Sequence, residues 1–165
     1  MKVFKDIISG DEFLSDSYPY VETYNGACLE VKARYVKKGS DQIMIASDDV
    51  IEEDENAPTV IDLVDAFQYN EVTMTQKDIM AWAKPYLAKV AAKLEEQGKS
   101  ERAAIFKKEA TNLLKFIFSK MDEMQCFYGK AYDTEGALCF CYTANPEDAG
   151  PTFLFFNDGL RIEKF

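Results

Sequence analysis

Histidine, cysteine and clustered carboxylates carry most side-chain chemistry, and the chain's stock of them is narrow. It has no histidine. That removes the commonest general base, the commonest metal ligand and the usual partner of a catalytic serine or cysteine. Its four cysteines are Cys28, Cys126, Cys139 and Cys141. Cys139 and Cys141 flank Phe140, so in a strand their thiols share one face. A zinc pair usually has two residues between its cysteines, so that a tight turn aims both sulfurs at one metal. The opening residues carry no basic-then-apolar leader pattern. The four are therefore expected to be reduced, buried, structural thiols. Carboxylate and tyrosine chemistry is what remains.

The candidate site acids fall in two places. Asp11 and Glu12 are adjacent in a short polar stretch that reads as a turn. A longer run, residues 37–59, opens on Lys37-Lys38-Gly39-Ser40 and holds seven acids (Asp41, Asp48, Asp49, Glu52, Glu53, Asp54, Glu55) with no base among them. Asp48, Asp49, Glu52 and Glu53 offer oxygen ligands for weak calcium binding, without the spacing of an EF-hand. A plain solvated loop is the simpler reading. The chain has no phosphate-binding loop, dinucleotide fingerprint or nucleophile elbow. No other cofactor is implied.

The bases concentrate elsewhere. Residues 75–121 contain ten Lys/Arg against five Asp/Glu, a local net charge of +5, inside a chain of net charge −10. Lys89, Lys93, Lys99, Arg102, Lys107 and Lys108 are the candidate contacts for an acidic protein partner. The competing reading is that these side chains only solvate the outer face of two amphipathic helices. Nucleic acid is a poor partner, because an acidic body repels phosphate and no basic-aromatic motif appears.

Short elements must position these groups. The 165 residues suit one domain, and 47% hydrophobic residues support a sizeable core. No apolar run approaches the roughly 20 residues that cross a bilayer. Strands are expected over residues 1–8, 17–24 and 27–36, the last two joined by a hairpin at Asn25-Gly26. Residues 60–68 read as another strand. Thr75 with Asp78 marks a helix start. Ile79, Trp82, Ala83, Tyr86, Val90 and Leu94 then recur at helical spacing, with a kink expected at Pro85. Gly98 stops this helix and Ser100 reads as the cap of the next, which runs to about Met121. Ile105 and Phe116 fall off its apolar face. The short link makes an antiparallel helical hairpin. Residues 125–132 and 137–143 read as strands, and 152–157 with 160–164 as a hairpin about Asp158-Gly159.

Several segments together resemble the translationally controlled tumour protein family. They are Asp6-Ile7-Ile8-Ser9-Gly10-Asp11-Glu12-Phe13-Leu14-Ser15-Asp16-Ser17-Tyr18, Gly26-Ala27-Cys28-Leu29-Glu30-Val31, Lys93-Leu94-Glu95-Glu96-Gln97 with Glu101-Arg102, Phe127-Tyr128-Gly129, and the run from Phe155 to Lys164. The match covers nearly the whole chain in order. It implies an α+β fold: a β-rich, sandwich-like core, shared with a small zinc-binding Rab-associated protein, plus a protruding antiparallel α-helical hairpin and a flexible acidic loop. The zinc cysteines of that related fold are not in evidence. Two family features differ. A Gly-Gly-Asn-rich loop signature is replaced by Met44-Ile45-Ala46-Ser47-Asp48-Asp49, and the Glu after Phe-Tyr-Gly is Lys130. Phe165 stands where many relatives end in Cys, so a terminal-disulfide dimer is not available.

The expectation is a cytoplasmic, monomeric binding protein, not an enzyme. The resemblance implies a growth- and survival-linked role, opposing apoptosis, with tubulin, calcium, a small GTPase and Bcl-family helices as partners. The leading reading is a hub whose basic hairpin meets acidic partners such as tubulin tails. Two alternatives are a regulator of a Rheb-like GTPase, docking on Asp11 and Glu12, and a chaperone-like binder of unfolded chains.

Overall fold

The computed structural model describes residues 1–38 and 57–165. Two larger antiparallel sheets, a two-stranded ribbon and a helical hairpin make up the described body. The first strands are β1 (Lys2–Asp6), β2 (Glu12–Ser15), β3 (Tyr20–Thr23), β4 (Cys28–Lys32), β5 (Tyr35–Lys37) and β6 (Thr59–Ile61). Helix α1 (Asp62–Phe67) and strand β7 (Asn70–Val72) lead to the long helices α2 (Gln76–Glu96) and α3 (Ser100–Ser119). Strands β8 (Gln125–Tyr128), β9 (Leu138–Tyr142), β10 (Thr152–Phe156) and β11 (Leu160–Lys164) complete the chain. The larger sheet has the order β3-β4-β10-β9-β8-β7, the smaller β11-β1-β2, and β5 pairs with β6.

Register assigns the two faces of the large sheet. Phe153 lies opposite Val31 and Cys141, and Phe155 opposite Leu29 and Cys139. Because side chains alternate across a strand, these share one face. That face meets Phe13 of β2 and Tyr69, in ring contacts Phe13–Phe155 and Tyr69–Phe153. The opposite face carries Phe140 and Phe156, which pack on Trp82 of α2, and Tyr142, which packs on Phe116 of α3. Strand β10 is buried at every residue. A strand covered on both sides loses the hydrophobic-polar alternation.

The hairpin follows its sequence signals. Thr75 and Asp78 exchange hydrogen bonds as a complete capping box. Gly98, with φ +77, lets α2 end in a Schellman turn: its N–H donates to the Glu95 carbonyl, and the Lys99 N–H to the Leu94 carbonyl. Helix α2 runs unbroken through Pro85. Phe116 reaches the sheet, whereas Ile105 is exposed.

Several sequence readings need correction. Residues 60–68 are not one strand. The strand stops at Ile61 and α1 follows, its entry held by the Asp62 carboxylate, which accepts from the Arg34 and Leu63 N–H groups. Residues 27–36 are two strands in different sheets. Ser100 is the first helical residue of α3 and not its cap; the capping position is Lys99, with no side-chain bond. The Asn25-Gly26 hairpin is real but wider than two residues, with Tyr24, Asn25 and Gly26 all at positive φ. Strands β10 and β11 do not pair: a 3-10 turn at Asn157–Gly159 carries the chain from the large sheet to the small one.

Candidate functional site

The strongest nucleophiles of the described body are its thiols, and burial disarms them. All four are free and buried. Burial pushes Cys28 and Cys141 up to about 12 and Cys126 to about 11, while Cys139, fully enclosed, lies well above its ordinary range. A thiol so placed carries almost no thiolate at neutral pH. Among the described residues no three Cys, Asp or Glu side chains converge to hold a metal ion. The calcium candidates Asp48, Asp49, Glu52 and Glu53 lie outside the described residues, as does most of the 37–59 acidic segment. Its base is described: Lys37 pairs with Thr59 at the start of the β5–β6 ribbon.

The hairpin offers a surface. Its inner face buries Ile79, Trp82, Ala83, Tyr86, Val90, Ala91 and Leu94 from α2, and Ala103, Phe106, Ala110, Leu113, Leu114 and Ile117 from α3. At the 3.6-residue period the remaining positions face out. Lys93, Lys99, Lys107 and Lys108 are all exposed. Lys93, Lys99 and Lys108 have no ion-pair partner among the described residues, and Lys107 sits 4.0 Å from Glu95, with both groups exposed. Lys89 reaches Glu135 at 2.9 Å on the surface. Such exposed pairs are weak, about 0 to 1 kcal/mol, and leave the amine open to exchange partners.

Arg102 is placed differently from the other five. Its Nε and Nη2 donate to the two carboxylate oxygens of Asp158, and its Nη1 donates to the Asn25 carbonyl at 2.8 Å. The planar guanidinium suits this two-pronged grip. Nearby, the Asn25 side chain donates to Glu109, which also accepts from Asn112. These bonds, first from Asn112 and then from Asn25, hold the Glu109 carboxyl below the usual range. Arg102, Asn25, Glu109 and Asp158 therefore clamp α3 to the β3–β4 turn and to the 157–159 corner. Sequence reasoning placed Arg102 among the outward bases. No local signal separates it, since Lys89 and Lys93 also directly precede buried residues; the distant partners Asp158 and Asn25 make the difference.

Asp11 and Glu12 flank a polar groove of about 310 Å³ with Lys5, Gln68 and Lys130. Glu12 is exposed. The Asp11 carboxylate accepts from the Ala131 N–H at 3.1 Å. Gly129 lies against it so closely that a side chain there would collide with the carboxylate. Asp11 thus fixes the loop after β8, while Glu12 stays exposed.

Comparison with known proteins matches this architecture. The family described as translationally controlled tumour protein matches residues 1–161. Homologues from Plasmodium chabaudi chabaudi and Plasmodium berghei are each 34% identical, over the full length of both chains. Among solved structures, the translationally controlled tumour-associated protein p23fyp of Schizosaccharomyces pombe superposes with a TM-score of 0.78 at 29% identity, covering both chains fully. The Caenorhabditis elegans protein superposes at 0.72 with 19% identity, over 100% of this chain and 99% of that one, a likeness of fold. The whole-chain family match and the shared fold agree: this chain belongs to the translationally controlled tumour protein family.

Proposed function

We propose that the protein is a multi-partner binding protein of the cytosol, linked to growth and survival, whose outer hairpin face receives acidic protein segments such as tubulin tails. One observation carries this reading. Lys93, Lys107 and Lys108 stand on the solvent side of helices whose inner sides are anchored in the core, and Lys99 is exposed in the short link between them. Rigid helices hold these charges without the ordering cost that a flexible basic tail would meet on binding. Buried, undissociated thiols and the absence of histidine support binding over catalysis. Reversing Lys93, Lys99, Lys107 and Lys108 to Glu, with Arg102 kept, is expected to abolish co-sedimentation with microtubules. Unchanged co-sedimentation by a folded variant would refute the reading.

A second reading rests on Glu12, the exposed carboxylate beside Lys5 and Lys130 at the polar groove. It makes this groove the docking face for a small Rheb-like GTPase. Glu12→Lys should weaken a GTPase complex while leaving microtubule binding intact. Retention of the complex would set this reading aside.

A further inference from the structure

Between the end of α2 and β11 lies a groove of about 550 Å³, lined by Lys93, Leu94 and Lys99 on one side and by Asp158 and residues 160–162 on the other. Leu160, Arg161 and Ile162 all line it. Consecutive strand residues point to opposite faces, so a groove that touches three in a row runs along the strand's edge. Among the described residues β11 is an edge strand, paired only with β1.

The ladder shows which backbone groups face that edge. Met1 and Phe165 exchange both hydrogen bonds, and Ile7 donates to the Gly159 carbonyl. Bonded and non-bonded pairs alternate in an antiparallel ladder. Val3–Glu163 and Lys5–Arg161 are then bonded pairs, while Phe4–Ile162 and Asp6–Leu160 are non-bonded. The Ile162 N–H and C=O and the Leu160 C=O therefore point away from β1. None of the three has a partner among the described residues. The Leu160 N–H is taken by the Asn157 carbonyl.

Charge selects what this edge accepts. Lys93 and Lys99 stand on one wall, unpaired among the described residues, and Arg161 on the other, 3.5 Å from Glu163. Glu163 is itself held by Lys5. The acid lining the groove, Asp158, is neutralised by Arg102. Leu94, Leu160 and Ile162 supply apolar contact between the cations.

We propose that β11 is a strand-addition site: an extended acidic segment of a partner protein pairs with the Leu160–Ile162 edge and lays its carboxylates against Lys93, Lys99 and Arg161. Backbone hydrogen bonds supply the affinity and alternate side chains the selectivity, as in other strand-addition complexes. This deepens the hairpin reading and rests on it, adding a backbone-directed site outside the helices. A second copy of the chain fits less well, because pairing two β11 edges would bring both sets of groove lysines together.

The test uses the full-length protein and a capped peptide alternating Glu with Val, beside a twin N-methylated at alternate backbone amides. Binding is read by titration calorimetry, and the Ile162 amide by hydrogen exchange. The twin should bind about tenfold or more weaker, a loss of about 1.4 kcal/mol or more. The parent peptide should slow exchange at Ile162. Lys93→Glu with Lys99→Glu should weaken the parent by a similar factor. If charge reversal weakens binding while both peptides bind alike and Ile162 exchange is unchanged, strand addition is wrong and the hairpin reading survives. If neither charge reversal nor methylation matters, both fall. Concentration-dependent protection of Ile162 without peptide would replace the partner with a second copy of this chain.

Discussion

Arg102 grips Asp158 across 56 residues of chain, with Nε on Oδ1 and Nη2 on Oδ2, each at 2.7 Å. The Asp158 side chain is only 9% exposed. The pair ties the first turn of α3 to the corner where the chain leaves the large sheet for the small one. It also takes one base out of the hairpin's outer surface and gives it a structural task.

Arg102→Ala should destabilise the protein by about 2 to 3 kcal/mol, because it strands a mostly buried carboxylate and frees the Asn25 carbonyl. Arg102→Lys should recover only part of this loss, since an ammonium cannot match the two parallel bonds. Urea unfolding with both variants checks it. A neutral Arg102→Ala would mean that the clamp contributes nothing.

Gly159 supports the same corner by close approach. A side chain there would run into the Tyr86 hydroxyl, and Tyr86 is fully buried and stacked on Trp82 at 4.7 Å. That hydroxyl is itself buried without a hydrogen-bond partner. Gly159→Ala should cost about 1 to 3 kcal/mol through overpacking. Tyr86→Phe alone should be near neutral, because it removes an unsatisfied group. Combined with Gly159→Ala it should restore much of the lost stability. Additive losses in thermal unfolding of the double variant would contradict the close approach.

Glu109 makes stability depend on pH. Its hydrogen bonds from Asn112 and Asn25 lower its folded-state pKa. The stabilisation is therefore full above the unfolded-state value, about 4.3 for Glu. It is lost as pH falls through the folded-state value. Glu109→Gln should be less stable than the parent at pH 6, with the gap closing below about pH 4. Denaturant midpoints across this range decide it; a constant gap would place the effect elsewhere.

Thiol reactivity should follow burial. At pH 8 a disulfide reagent should modify native protein very slowly and label all four cysteines after unfolding, because the reacting species is the thiolate. Rapid labelling of one native thiol would show an opening that the packed sheet does not predict.

Much of this architecture is legible in the sequence where a local signal has one physical meaning. Thr75-x-x-Asp78 fixes the start of α2, and Gly98 fixes its end, because each satisfies identifiable backbone groups. Residues 60–68 mislead because Val60 and Ile61 favour strands. The spacing of Leu63, Val64 and Phe67 is the helical signal that prevails. Asp158-Gly159 looks like a hairpin turn, yet β10 is buried at every residue while no residue of β11 is fully buried. Strands with such different burial belong to different environments, and a sheet change follows. The clamp role of Arg102 could not be read from charge counting, since its partner Asp158 is 56 residues away. Nor is the free edge of β11 visible locally, because it depends on pairing with the distant β1.

The proposed receptor for acidic protein segments, formed by the outward lysines of the hairpin, is electrostatic and so must respond to salt. The direct measurement is the affinity of a fluorescent acidic tubulin-tail peptide, read by anisotropy as salt is raised. Between about 0.01 M and about 0.15 M the screening length shrinks from about 30 Å to about 8 Å. Binding should weaken steeply for the parent protein and for Asp11→Asn. It should be weak and nearly salt-independent when Lys93, Lys99, Lys107 and Lys108 are reversed. Equal affinity and equal salt dependence for parent and reversed variant would contradict the proposed receptor.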